Sequence, residues 1–408
     1  MINTELLAPA GNFQKLKTAI YFGADAVYVG GKNFSLRSFT DNFSDEELSL
    51  AVKYCHERDK KLYVTVNIYA KNSDFDKLPD YFRFLESIGV DAVIVSDPGV
   101  FSVARKSAPA LCVHVSTQAN TLNKYSAKFW ADQGAGRIIL ARELSLDEIA
   151  EIRDFLPKTV ELEAFCHGAM CIAYSGRCLL SDYFSGRSSN RGECVQACRW
   201  NYSLREKKSD GEWYDVSQDE RGTYVLNSKD LNMISELDKM AQAGVFSFKI
   251  EGRMKSEYYL ATVVNAYRRA FDALKARGSA YKDETLYEKE LLNTNHRAFT
   301  KAYAFGNNSE TVNYDDSQSA GDRTFAAVVL NYDIKTHTAE IEMRNRFAEG
   351  EVLEVLTPYS YLNALIPVSG LKNEEGQPVS DAKFVQQKLY LKTDVELHVG
   401  DILRKNRP

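Results

Sequence analysis

Seven short apolar runs, spaced along the first 165 residues and separated by helical patterns, constrain the fold more than any other feature of this chain. They are ELLAPAG (5–11), DAVYVGG (25–31), KLYVTVN (61–67), DAVIVSD (91–97), LCVHVSTQ (111–118), RIILARE (137–143) and VELEAF (160–165). Between them lie helical stretches such as NFQKLKTAIYFG, DEELSLAVKYCHERDK and DEIAEIRDFL, with Asn, Asp or Ser near their starts and Gly near several ends. Alternation at this interval specifies βα units on a parallel sheet. Two more runs, TYVLNSKD (223–230) and FSFKIEGR (246–253), give nine candidates for eight places. The expected fold is therefore α/β, a (β/α)8 TIM-type barrel with one surplus strand. A doubly wound open sheet is the alternative, although the early units lack the Gly-rich phosphate fingerprint such sheets often carry.

After residue 253 comes a long helical stretch, MKSEYYLATVVNAYRRAFDALKARG, then a Tyr- and Asn-rich connector. From about residue 321 the pattern changes to alternating strands, including TFAAVVLNY, HTAEIEMRN and KLYLKT, which reads as a small antiparallel β-barrel domain. The expected division is a barrel over 1–275 with a Cys-rich insertion at 163–202, a connector over 276–320, and the small domain over 321–408. With 408 residues and 44% apolar side chains, the chain can bury a full core. Neither a leader pattern nor a membrane-spanning run is evident, so a cytoplasmic location is expected. A net charge of -5 gives no global electrostatic case for nucleic-acid binding. Any RNA must be held by local patches.

Five of the seven cysteines fall in EAFCHGAMCIAYSGRCLLSDYFSGRSSNRGECVQACRWNY (163–202). In a reducing compartment clustered thiols point to metal, cluster or redox chemistry. Cys171, Cys178, Cys194 and Cys198 give spacings C-x6-C, C-x15-C and C-x3-C, of which only the last suits a zinc ribbon. Irregular spacing fits an iron–sulfur cluster better, because its ligands need only converge from loops. Structural zinc and unligated redox thiols stay open. Cys166 receives no ligand role, and Cys55 and Cys112 read as small buried hydrophobes. A peptidase lacks its parts: there is no H-E-x-x-H and no G-x-S-x-G, and the adjacent Cys166 and His167 point to opposite faces of a strand.

Barrel active sites form at the C-terminal strand ends. Polar residues there are Asn67, Asp97, His114, Gln118, Asn120, Arg142, Glu143, Lys229, Asp230, Lys249, Glu251 and Arg253. His114, Gln118 and Asn120 share one face if their strand continues that far. His114, Gln118, Lys229 and Glu251 are the candidate catalytic residues. Arg187, Arg191, Arg199, Trp200 and Tyr202, with MRNRF and LRKNRP in the small domain, are candidate RNA contacts.

The segment EAFCHGAMCIAYSGRCLLS resembles the signature of the peptidase U32 family through Glu163, Phe165, Gly168, Ala169, Met170, Cys171, Gly176, Cys178 and Ser181. The opening ELLAPAGNFQKLKTAIYFGADAVYVGG, NSKDL and FKIEGRMKS are similar to that family as well, so the resemblance covers about residues 4 to 310. GECVQACRWNY, the chain length and the C-terminal strands look most like its tRNA hydroxylation branch. That resemblance implies 5-hydroxyuridine formation at the wobble position, dependence on prephenate, and a [4Fe-4S] cluster on Cys171, Cys178, Cys194 and Cys198. It also implies a tRNA partner and suggests a second U32-family chain. Cys198 follows Cys194 more closely than the last ligand does in other branches. Arg37, Arg142, Arg177 and Arg253 are the candidates, by position, for gripping the carboxylates of prephenate. The family name keeps a metal-dependent, collagenase-like peptidase as the alternative, beside an rRNA hydroxylase or a non-catalytic cluster-bearing RNA-binding protein.

Overall fold

The computed structural model describes residues 4–35, 42–171, 173–174, 177–200, 218–219, 222–223, 228–283, 286–306 and 321–407. Seven parallel strands follow the seven apolar runs: β1 (Glu5–Pro9), β2 (Ala26–Gly30), β3 (Lys61–Val66), β4 (Ala92–Val95), β5 (Cys112–Val115), β6 (Arg137–Ile139) and β7 (Glu161–Ala169). Two short strands, β8 (Gln218–Asp219) and β9 (Gly222–Thr223), then precede β10 (Asp230–Asn232) and β11 (Ser247–Ile250). β11 pairs in parallel with both β7 and β1 and closes an eight-stranded barrel. The surplus strand is thus β10. It runs antiparallel to the extended end of β7, with Asp230 opposite Ala169, and carries β12 (Phe299–Thr300) on its other edge.

The barrel helices are α1 (Phe13–Tyr21), α2 (Asp45–His56), α3 (Leu78–Ser87), α4 (Pro98–Ser107), α5 (Lys124–Asp132), α6 (Leu146–Phe155) and, after α7 (Leu180–Ser185) in the cysteine segment, α8 (Leu237–Gln242) and α9 (Glu257–Arg277). The polar residues foreseen at helix starts are caps. The side chains of Asn12, Ser44, Asp97, Asn123, Ser145 and Ser256 each accept a backbone N–H, worth about 1 kcal/mol apiece.

The C-terminal strands form an antiparallel half-barrel. β13 (Arg323–Asp333), β14 (Thr338–Met343), β16 (Val352–Leu356), β17 (Leu365–Pro367), β19 (Lys388–Lys392) and β20 (Ile402–Asn406) lie in the order β17-β16-β20-β13-β14-β19, while β15 (Phe347–Ala348) pairs with β18 (Asp381–Ala382). Burial alternates along β14, as a sheet with one buried face requires. This domain docks on α9 and on α10 (Leu286–Leu292) through fully buried Arg404, which donates to Glu290 and, at 2.8 Å, to Glu354. The Asn265 amide also donates to the Thr357 carbonyl at 3.1 Å.

The barrel interior holds charge. Arg137 on β6, 1% exposed, donates to Glu5 at 2.6 Å, to Glu161 at 2.6 Å and to Glu163 at 3.1 Å. Glu5 also accepts from Tyr63 and Ser247, both at 2.7 Å, and Glu163 accepts from Lys249 at 2.7 Å. Burial alone would raise the Glu5 pKa, but the Arg137 charge and these hydrogen bonds outweigh it and hold the carboxyl below its usual range.

A second buried pair locks β10. The Arg297 guanidinium donates to Asp230 Oδ1 at 2.6 and 2.9 Å, and its backbone N–H donates to Oδ2 at 3.1 Å. Burial works against ionisation of Asp230, yet Arg297 holds its pKa below the ordinary 3.8. A lowered folded-state pKa stabilises above the unfolded value, and that stability is lost as pH falls through the folded one. Asp230→Asn is therefore expected to lower stability by roughly 3 kcal/mol at pH 7. The gap from wild type should narrow below about pH 4, read as thermal midpoints across a pH series. A gap constant from pH 7 to 3 would contradict this.

Candidate active site at the barrel mouth

A cavity of about 210 Å³ opens at the C-terminal ends of the strands, where barrel active sites form. Its floor is built from inward positions of the strands: Tyr28, Thr65, Ile94, Ile139, Phe165 and Lys249. Asn67, Gln118, Arg142, Glu251 and Arg253 stand at the rim, and Cys171, Cys178, Cys194 and Cys198 form the roof with Ser181 and Ser189. The sequence motif that gathered these thiols therefore places all four on one cavity wall.

The roof is pinned by ordinary polar contacts. Arg191 donates to both carboxylate oxygens of Asp74, at 3.0 and 3.2 Å, and to the Tyr69 carbonyl at 2.7 Å. Arg177 donates to the Gln118 carbonyl at 3.1 and 3.2 Å. Ser189 and Asn190 donate to the Cys178 carbonyl. Donors also reach the sulfurs: Leu180 N–H to Cys178 Sγ and Gln196 N–H to Cys194 Sγ, both at 3.4 Å, and Ser181 Oγ to Cys194 Sγ at 3.8 Å. Among the described residues no three His, Cys, Asp or Glu side chains converge closely enough to grip one metal ion.

Cationic groups face the thiols. Arg142 lies over the Phe165 ring at 3.9 Å, donates to the Ala169 carbonyl at 2.8 Å, and reaches Glu251 at 4.0 Å. Its Nε, like the side-chain oxygens of Gln118 and Asn120, has no hydrogen-bond partner among the described residues. Buried Arg253 donates to Ser35 and Thr65 at 2.8 and 3.0 Å. Lys249 sits 4.3 Å from the centre of the Tyr28 ring, fully enclosed, and burial lowers its pKa against the opposing charge of Glu163. Gly168 explains how β7 reaches this geometry: its φ is +108°, and a Cβ there would lie 2.5 Å from the Glu251 carbonyl oxygen.

Some expected site residues lie elsewhere. β5 ends at Val115 and a 3-10 turn follows, so His114 does not share a face with Gln118 and Asn120. His114 is buried inside the barrel against Tyr63, ring centres 4.8 Å apart, and burial with the charges of Arg137 and Lys249 keeps it neutral. Lys229, beside β10, is half-buried and does not line the cavity. Arg177 is at the lip, Arg191 is committed to Asp74, and Arg37 and Tyr202 lie outside the described residues. Cys166 is buried, its thiol donating to the Lys249 carbonyl at 3.4 Å. Tyr28, Thr65 and Ser35 escaped sequence reasoning. The first two lie at inward positions of apolar strands, where period-2 alternation was the only signal.

Residues 11–314 match the family model for peptidase family U32, and residues 322–404 match that for the peptidase family U32 C-terminal domain. The chain belongs to peptidase family U32. This U32 protein is 37% identical to tRNA hydroxylation protein P1 of Bacillus subtilis (strain 168), over 99% of this chain and 95% of that one. It is 36% identical to tRNA hydroxylation protein P of Escherichia coli (strain K12), over 99% and 97%. The 23S rRNA 5-hydroxycytidine C2501 synthase of Escherichia coli (strain K12) is 34% identical to it, over 78% of this U32 chain but 48% of the synthase.

Proposed function

We propose that this protein is an RNA-modifying enzyme that hydroxylates C5 of a tRNA uridine at the wobble position. The supporting observation is full-length similarity to proteins named for tRNA hydroxylation, whereas the rRNA synthase extends far beyond the matched part. The cavity suits the task because it puts four cysteines, two arginines and an aromatic wall around one opening at the barrel mouth.

Cys171, Cys178, Cys194 and Cys198 would hold a [4Fe-4S] cluster, which is bulkier than a single ion and takes thiolates set wider apart, with N–H groups turned toward sulfur as they are here. Such a cluster supplies one-electron chemistry that side chains lack. The remaining work falls to this chain's residues. Arg142 and Arg253 present guanidinium groups able to pair with the carboxylates of prephenate. The unmatched Gln118 oxygen offers an acceptor for a uracil N3–H, and Phe165 gives the ring a flat wall. Glu251, beside Arg142, can accept a proton from the site.

The test is nucleoside analysis of tRNA and rRNA from a strain lacking the gene and any second copy. Loss of 5-hydroxyuridine from tRNA, restored by the wild-type gene, is expected. An unchanged tRNA pool would overturn the reading, and loss of a hydroxylated rRNA nucleoside instead would move the substrate.

A further inference from the structure

Large apolar side chains normally reach the surface singly, but the roof of the cavity breaks that habit. Five of the twenty exposed large hydrophobics among the described residues fall within residues 174–200: Tyr174, Leu179, Tyr183, Phe184 and Trp200. Tyr183 is 82% exposed and Leu179 72%. The rings form a chain, Tyr183 to Phe184 at 5.0 Å and Phe184 to Trp200 at 6.1 Å. They are continuous with the cavity, since Cys178 and Leu180, flanking Leu179, line it. Charge differs here too. Residues 174–200 carry four arginines against one Asp and one Glu, and with Arg191 neutralised by Asp74 a surplus of one positive charge remains on a chain whose net charge is -5.

We infer that this aromatic shelf is a stacking platform for unpaired nucleotides that flank the target base in a single-stranded RNA loop. An extruded base must leave its neighbours unstacked, and exposed rings return that stacking without reading sequence. Exposed Arg177 and Arg187 attract the phosphates between those bases. The inference rests on the RNA-modification reading and adds the surface that holds the rest of the loop.

The experiment measures affinity and KM for a hairpin RNA with a uridine-bearing loop, using the full chain, wild type beside Tyr183→Ala/Phe184→Ala. Metal loading, thermal midpoint and sedimentation are recorded for each. Stacking on aromatics contributes about 1–3 kcal/mol per base, so affinity should fall at least about 30-fold in the double variant. Tyr183→Phe should restore wild-type affinity for the single site. If the double variant misfolds, Tyr183→Ala alone serves, because that ring is almost wholly outside the packing. Wild-type affinity and KM in a folded variant, with an active wild type, would overturn the shelf alone. A change in sedimentation with RNA affinity intact would assign the surface to a second copy of the chain and equally overturn it. A wild type that neither binds RNA nor forms 5-hydroxyuridine would remove the functional reading, and the shelf with it.

Discussion

Arg137→Leu is expected to destabilise the protein by roughly 3–5 kcal/mol, a large share of the stability of an ordinary domain. Arg137 is 1% exposed and divides its donors among Glu5, Glu161 and Glu163. Removing it leaves Glu5 buried with only hydroxyl donors and Glu163 with Lys249 alone. Loss of one partner strands the other's charge, which costs far more than the pair contributes over an apolar isostere. Arg137→Lys should recover only part, because a point charge cannot reproduce three planar contacts. Adding Glu5→Gln to Arg137→Leu should recover more, by removing the stranded carboxylate. Urea-unfolding midpoints of the four proteins decide it. A shift below about 1 kcal/mol for Arg137→Leu would mean that water or rearrangement satisfies the carboxylates.

Cys178→Ser carries the largest expected effect on activity. Cys178 lies mid-roof, with its sulfur receiving the Leu180 N–H and its carbonyl held by Ser189 and Asn190. Serine keeps those backbone contacts but offers no soft thiolate, so the fold should persist while the bound group is lost. Outer-shell changes already cost metal sites 10- to 100-fold, so 5-hydroxyuridine formation should drop at least about 100-fold. Iron and acid-labile sulfide per chain should fall in parallel. Cys55→Ser, in the buried face of α2, is the control: it should cost stability and leave product per folded chain unchanged. A folded Cys178→Ser protein that restores wild-type 5-hydroxyuridine to the deletion strain would remove this cysteine from the mechanism.

The barrel was legible because parallel strands enclosed on both faces must read as apolar runs, and every one of the seven did. That one strand would be surplus was legible, though pairing decided which: Ser247–Ile250 lies between β7 and β1, whereas β10 meets the run 223–230 only at Asp230, residues 224–227 lying outside the described ones, and pairs with the end of β7 and with β12. Gathering of the cysteines could be read from the motif alone. His114 misled because a polar residue within an apolar strand looks like an active-site residue, and only the turn at Thr117 shows that the strand stops short. Arg191 misled in the opposite way. Its charge resembled an RNA contact until Asp74, over a hundred residues earlier, proved to hold it. The interior network is the plainest illegible feature, since Glu5, Arg137 and Glu163 are far apart in sequence and each resembles a surface charge.

The way the roof is attached separates it from the scaffold. β7 and β11 pair directly, and the hydrophobic core packs across them, while residues 177–200 hold on through side-chain bridges such as Arg191 to Asp74. The barrel closes without the roof, so residues 177–200 can be altered at little cost to the eight strands beneath them.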